Sequence, residues 1–308
     1  MKSKRIADVV EALIGAFLTT GGEVAALLFM NWLGIEVEFS CIKYQRIFNI
    51  DPYKHVNISG LQSILNYSFK DPSLLVEALT HGSYMLPEIP RCYQRLEFLG
   101  DAVLDHLITI QLYAKYPGIT PGLLTDLRSA SVNNDRYAQS SIRSGLYKHI
   151  LHASQVLHKQ LSATIIRFEE LSSNSTFGWE LDINFPKVLA DIIESLAGAI
   201  FVDSEYNKHA LVNSIVPLLE PIVTPETLKL PPVRELHDIC QKHHYNMGKP
   251  VKSFENGIPS ITLEVEANGT IFKHTCTAPD NTLANKIASR AILKSLKESI
   301  PGLYEKVK

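Results

Sequence analysis

Up to about Leu219 the apolar residues recur at 3.6-residue spacing, with few β-branched alternations, and this pattern predicts one helix after another. Two apolar stretches near the start, Val9 to Leu18 and Val24 to Leu33, predict a pair of helices. Asp71-Pro72-Ser73-Leu74-Leu75 reads as a helix start, and Gly118-Ile119-Thr120-Pro121-Gly122 closes one helical run and opens the next. Ser172 to Gly178 reads as a polar loop, and the prolines at 221, 225, 231 and 232 mark a linker over 221–232. Beyond it the period changes. A helix from about Val233 to His244 precedes two alternating strands, Ile261–Glu266 and Thr270–Thr275, joined by Asn268-Gly269, a hairpin-turn dipeptide. A last helix runs from about Asn281 to Glu298. The expected fold is mainly α: an all-helical domain followed by a small α-β-β-β-α domain.

One pattern recurs. Ile6-Ala7-Asp8-Val9-Val10-Glu11-Ala12-Leu13-Ile14-Gly15-Ala16 matches Leu189-Ala190-Asp191-Ile192-Ile193-Glu194-Ser195-Leu196-Ala197-Gly198-Ala199, with Asp, Glu and the Gly-Ala pair in register. Two amphipathic helices share apolar positions by chance, but not the acidic pair and the small pair as well. The 183-residue offset is domain-sized and implies duplicated domains, of which the first contributes only its tail.

Composition narrows the class. With 308 residues, 45% hydrophobic and 20% charged, the chain has room for about two domains and is neither disordered, collagenous nor a coiled coil. The net charge of -2 conceals a split: residues 51–230 carry 14 basic and 19 acidic groups, and residues 231–308 carry 11 and 8. Cys41, Cys92, Cys240 and Cys276 are scattered, without ligand spacing, which favours thiols in a reducing compartment over disulfides or zinc. Asp8 and Glu11 interrupt the apolar start, so a signal peptide is not expected. No uninterrupted apolar stretch reaches the ~18 residues of a membrane span, and the expectation is an intracellular protein without a membrane partner, nuclear rather than cytoplasmic.

The chemistry lies in carboxylates. Glu97 and Asp101 stand at i and i+4, and Asp191 and Glu194 at i and i+3, so each pair shares one face of an otherwise apolar helix. Such a pair alone is common and usually marks a solvated face. Two such helices packed face to face would instead make an oxygen-lined cage suited to Mg²⁺ or Mn²⁺ and to phosphodiester hydrolysis. Asp105 continues the ladder and is expected to pair with a base or to cap.

Leu96-Glu97-Phe98-Leu99-Gly100-Asp101-Ala102-Val103-Leu104 resembles the nine-residue signature of the ribonuclease III family. Leu79-Thr80-His81-Gly82-Ser83-Tyr84 resembles its upstream motif, Leu127 to Asp135 its downstream motif, and Pro186-Lys187 through Gly198-Ala199 its second acidic helix. The resemblance covers about 58–220. It makes 51–220 a complete ribonuclease III domain and 1–45 the remnant of a preceding one. Two such domains before a small α-β-β-β-α module resemble the layout of the Dicer-like proteins of plants.

The resemblance implies that Glu97, Asp101, Asp191 and Glu194 bind Mg²⁺ or Mn²⁺ and cleave double-stranded RNA. Lys187, one turn before Asp191, reaches the scissile phosphate, balances the carboxylates, or is a surface lysine. Asp8 and Glu11 would be an incomplete first-domain site. Asn133 and Asn134 read as turn formers before orienting groups, and His81 as a structural hydrogen-bonder before a general base.

Residues 233–300 resemble a double-stranded-RNA-binding domain, a module that reads A-form shape. Leu236, Asp238 and Gln241 fit its first helix, while Lys286, Arg290 and Lys294 form the basic stripe of its last. The loop Glu255 to Ser260 is short and lacks the family's groove-entering residues. Contact with double-stranded-RNA-binding partner proteins therefore rivals RNA contact, beside a plain solvated face. Two functions remain open: a metal-dependent endoribonuclease, acting within a longer enzyme or as a homodimer, or a non-catalytic RNA-binding or regulatory fragment unable to assemble a two-domain channel.

Overall fold

The computed structural model describes residues 3–36, 50–84, 86–89, 91–171, 183–255, 257–300 and 303. The expected polar loop at 172–178 lies outside them. The chain divides into two units, Met1–Ile47 and Phe48–Lys308.

The first unit holds α1, Ser3–Trp32, broken at Gly22, whose φ of 71° and ψ of -171° no helix interior adopts. Phe17 and Phe29 would stand about 18 Å apart along a straight helix. Their rings stack at 4.4 Å because the break folds one half back on the other. The two expected N-terminal helices are thus a hairpin. By length and composition alone Lys4–Trp32 is long and apolar enough to cross a membrane. That departs from the expectation, because the small residues between the two apolar runs subtract little hydropathy.

In the second unit, α2 (Ile58–Leu65) and α3 (Ser73–Leu79) lead to α4 (Gln94–Lys115), α5 (Pro121–Ser131), α6 (Asn134–Arg143), α7 (Gln155–Glu170), α8 (Val188–Asp203) and α9 (Lys208–Ser214). Local chemistry sets the boundaries. Thr120 caps α5 with Pro121 in its first turn, Asn133 accepts from Arg136 N–H to cap α6, and Ser154 caps α7. Asn133 and Asn134 therefore begin a helix where a turn is expected.

The centre is α8, whose Leu189, Ile192, Ile193, Leu196 and Ile200 are fully buried. Each contributes about 1.5–3 kcal/mol by leaving water. At its far end, buried Asp203 accepts 2.8 Å hydrogen bonds from the Tyr67 hydroxyl and from the backbone N–H groups of Lys70 and Asp71, tying α8 to the loop before α3.

The proline-rich segment is not an open linker. Val223, 1% exposed, packs with Ile108, Leu112, Leu127 and Ala130 of α4 and α5, and Ile222 and Leu228 join them. The Arg136 guanidinium donates to the carbonyls of Leu219 and Pro221, and the Ser140 hydroxyl to that of Leu218.

The C-terminal module is α10 (Pro232–His243), β1 (Asn246–Met247), β2 (Val251–Glu255), β3 (Ile258–Ala267), β4 (Thr270–Thr277) and α11 (Asn281–Ser299). The sheet is antiparallel, with β1 and β2 along one edge of β3 and β4 along the other. Period two on β3 buries Ile261, Leu263, Val265 and Ala267 against both helices. Asn268 and Gly269 turn the β3–β4 hairpin with φ of 53° and 78°.

Candidate metal centre

The site forms where α4 crosses α8. Both helices carry a glycine at the crossing, Gly100 and Gly198, and both backbones exploit the missing side chain to approach. This brings Glu97 of α4 together with Asp191 and Glu194 of α8, with one carboxylate oxygen from each lying within 4.8 Å of the others. Asp191 is 2% exposed and Glu194 6%. Asp101 does not join that trio. It is exposed and lines the same open cavity of about 650 Å³, with Glu97, Asp191, Glu194, Lys187, His81 and Tyr93 among its walls. Three of the four expected carboxylates thus gather within 4.8 Å, and the fourth, Asp101, lines the same cavity.

Electrostatics follow from burial. Glu194 is pushed up from 4.5 to about 8 by desolvation, then by the charges of Asp101, Asp191 and Glu97. Lys187 offsets part of this. Its ammonium donates to Glu97 Oε1 at 2.5 Å and to Asp191 Oδ1 at 2.6 Å, bridging the two helices. Burial lowers the pKa of that ammonium, but the bonds to Asp191 and Glu97 outweigh burial and hold it above its ordinary value. Lys187 is therefore part of the cluster.

Two tyrosines were not singled out in the sequence. The Tyr93 hydroxyl donates to Asp191 Oδ2 at 2.8 Å, and burial with that bond raises its pKa. Tyr137 on α6 is fully buried, and burial together with the charges of Glu194 and Asp101 raises it. Neither has a spacing signal; only Tyr93's position beside the acidic motif hinted at the site. Asp105 pairs with Arg128 at 2.8 Å, as expected of it. His81 Nδ1 meets the Ser83 hydroxyl at 2.8 Å, and burial and His152 lower the ring's pKa below 6.5 despite Asp191, leaving a neutral hydrogen-bonding ring.

Three oxygen donors at this separation suit a hard divalent cation, whose charge would offset the mutual repulsion of the carboxylates. Asp8 and Glu11, the counterparts of Asp191 and Glu194, are both exposed on α1, and no second Glu-x-x-x-Asp partner helix occurs among the described residues.

The residues expected to bind RNA do not share one exposed stripe. Lys286, its side chain 14% exposed, pairs with Asp135 of α6 at 3.6 Å. Nearby, Asn184 donates to Asp280 at 2.7 Å. Arg290 and Lys294 line a separate groove with Lys229, Lys242 and Lys297, while Gln241 is exposed on α10. The loop from Glu255, expected to be short and without groove-entering residues, brings Glu255 to pair with Ile258.

Residues 94–205 match the family model of the Ribonuclease III domain. Over 300 residues the chain is 59% identical to "Endoribonuclease Dicer homolog 2" of Arabidopsis thaliana, a match covering 97% of this chain and 21% of that protein. It is 48% identical over 297 residues to "Endoribonuclease Dicer homolog 2a" of Oryza sativa subsp. japonica, covering 96% and 21%. The solved nuclease domain of ribonuclease III from Campylobacter jejuni is 30% identical, covers 55% of this chain and 99% of its own, and superposes with a TM-score of 0.40. The chain spans about a fifth of the length of the curated relatives it matches. With its acidic helices inside the matched domain and plant Dicers aligned along nearly all of it, the chain belongs to the ribonuclease III family and is Dicer-like in sequence.

Proposed function

We propose that this chain supplies a divalent-metal-dependent endoribonuclease centre that cuts double-stranded RNA into small RNAs for gene silencing. One observation carries the reading: Glu97, Asp191 and Glu194 offer three carboxylate oxygens within 4.8 Å in an open, solvent-reaching cavity. Bound there, Mg²⁺ or Mn²⁺ supplies Lewis-acid stabilisation of the scissile phosphate and an activated water. Glu97, Asp191 and Glu194 would hold the ion, with Asp101 beside them in the same cavity. Glu194, pushed up to about 8 by burial and the neighbouring acids, would have to lose its proton to solvent to serve as a ligand. Lys187, already shared between two of the carboxylates, turns its ammonium to the incoming phosphate.

Homodimerisation through the nuclease domain and location in the nucleus belong to the same proposal. Phe98, 81% exposed and beside Glu97, is an apolar side chain such an interface would cover. The rival, a non-catalytic RNA-binding or regulatory fragment, draws on exposed Asp8 and Glu11, which have no completing helix among the described residues.

Long duplex RNA incubated with the purified chain, with Mg²⁺ or with chelator, and beside Glu194→Gln, separates the two. Metal-dependent cleavage that falls at least about a hundredfold in the variant supports the proposal. If both proteins retain the RNA and neither cuts it, the binding-fragment reading stands instead.

A further inference from the structure

We propose that Tyr93 is a positioning residue of this centre: its phenol fixes the Asp191 carboxylate so that Oδ1 is the oxygen shared with Glu97. The proposal rests on the metal reading above. Asp191 carries one donor on each oxygen, Lys187 Nζ on Oδ1 at 2.6 Å and Tyr93 Oη on Oδ2 at 2.8 Å. Lys187 Nζ also meets Glu97 Oε1 at 2.5 Å, so Oδ1 is the inward oxygen and Oδ2 the anchored one. Lys187 has 63% of its side chain exposed, with room to move aside, and must yield when another cation takes its place. Tyr93 is 6% exposed and has no such freedom. Of the two described donors to Asp191, it is the one that can keep the carboxylate from turning while its inward oxygen changes partner.

The position of Tyr93 is itself built, and by the motif that the catalytic reading leaves without a task. Tyr93 N–H donates to the Thr80 carbonyl at 3.0 Å. Thr80 forms a parallel bridge with Leu151, closed by His81 N–H to the Leu151 carbonyl and Leu151 N–H to the Leu79 carbonyl, both at 2.9 Å. The Ser83 hydroxyl, held by His81 Nδ1, accepts from Ala153 N–H at 3.1 Å. The His81 ring lies 6.0 Å from that of Tyr93. Thr80 to Ser83 is thus a bracket between Leu151–Ala153 and the start of α4, and it sets the height at which the phenol meets Asp191.

A hydrogen-bond partner of a metal ligand typically governs 10–100-fold in metal affinity. The test is Mn²⁺ titrated into the RNA-free chain and read by the resonance of free Mn²⁺, for wild type, Tyr93→Phe, Tyr67→Phe and Asp191→Asn. Tyr67 is a matched control, since its hydroxyl makes the same 2.8 Å bond to Asp203 at the other end of α8. Tyr93→Phe is expected to bind Mn²⁺ about 10–100-fold more weakly, with cleavage recovered at saturating Mn²⁺. Tyr67→Phe is expected to lower the melting temperature and leave Mn²⁺ binding unchanged. Wild-type Mn²⁺ affinity in a folded Tyr93→Phe overturns the proposal, as does a Tyr93→Phe chain that cannot fold, because the hydroxyl then serves the fold. If Asp191→Asn binds Mn²⁺ like wild type, the metal reading itself fails.

Discussion

A methyl group on Gly100 would lie 1.8 Å from the carbonyl oxygen of Glu194. Its counterpart on Gly198 would lie 2.1 Å from the carbonyl oxygen of Leu96. Neither obstacle is a side chain that could swing aside, so α4 and α8 touch backbone to backbone.

Gly100→Ala or Gly198→Ala must therefore push the helices apart. Overpacking of this kind costs about 1–3 kcal/mol and more where backbone blocks relaxation. The same separation spreads Glu97 from Asp191 and Glu194. The denaturant midpoint should fall and Mn²⁺ affinity should drop at least about tenfold; a variant of unchanged affinity would show that the crossing does not set the ligand spacing.

The pKa of Glu194 makes metal binding and stability depend on pH in opposite senses. The folded-state value, about 8, exceeds the ordinary 4.5, so the native chain binds this proton more tightly than the unfolded chain. Metal-free stability is then greatest below about 4.5 for this group and declines as pH rises towards 8. Mn²⁺ must displace the proton, so its affinity rises over the same interval. Thermal melting with and without Mn²⁺ across that range should show the metal-induced increase in Tm growing with pH, and an increase independent of pH would contradict the assignment.

Lys187→Met removes the charge and keeps most of the length. Because the lysine side chain is 63% exposed, its loss should cost stability only about 1 kcal/mol. Mn²⁺, freed from a competing ammonium, should bind a few-fold more tightly, while single-turnover cleavage at saturating Mn²⁺ should fall at least about tenfold. Slower cleavage together with weaker Mn²⁺ binding would instead make Lys187 a support for the carboxylates.

Lys286 is engaged with Asp135, and this alters what its removal should do. A phosphate-binding lysine lost from a duplex-RNA site lowers the salt slope by about one unit. Lys286→Ala should change that slope by much less and should increase proteolysis around Lys229, as the module loosens from the nuclease domain. A full unit lost from the slope in anisotropy titrations would mean that Lys286 abandons Asp135 for RNA.

Much of this was legible in the chain. The spacing of Glu97 with Asp101 and of Asp191 with Glu194 placed each pair on one helix face, and the switch from period 3.6 to period two located the C-terminal module. Three things could not be read there. That Asp101 is exposed while Asp191 and Glu194 are buried depends on how deep each turn sits at the crossing, which no periodicity encodes. Tyr93 acts on a residue 98 positions away and carries no pattern of its own. Lys286 has the spacing of an RNA contact, yet its partner is set by how two domains meet. Gly100 and Gly198 were visible within their motifs, but their meaning needed the opposing carbonyls.

The packing of Val223 and Leu228 onto the nuclease domain leaves only Lys229 to Pro231 between that anchored strap and α10. Three residues reach about 10 Å at full stretch. On so short a leash the C-terminal module cannot scan solution for a duplex and bring it back. If it contacts the same duplex, it would act as a second grip at a nearly fixed distance from the carboxylates, and its effective concentration at the site, rather than its own affinity, would govern what it adds to binding.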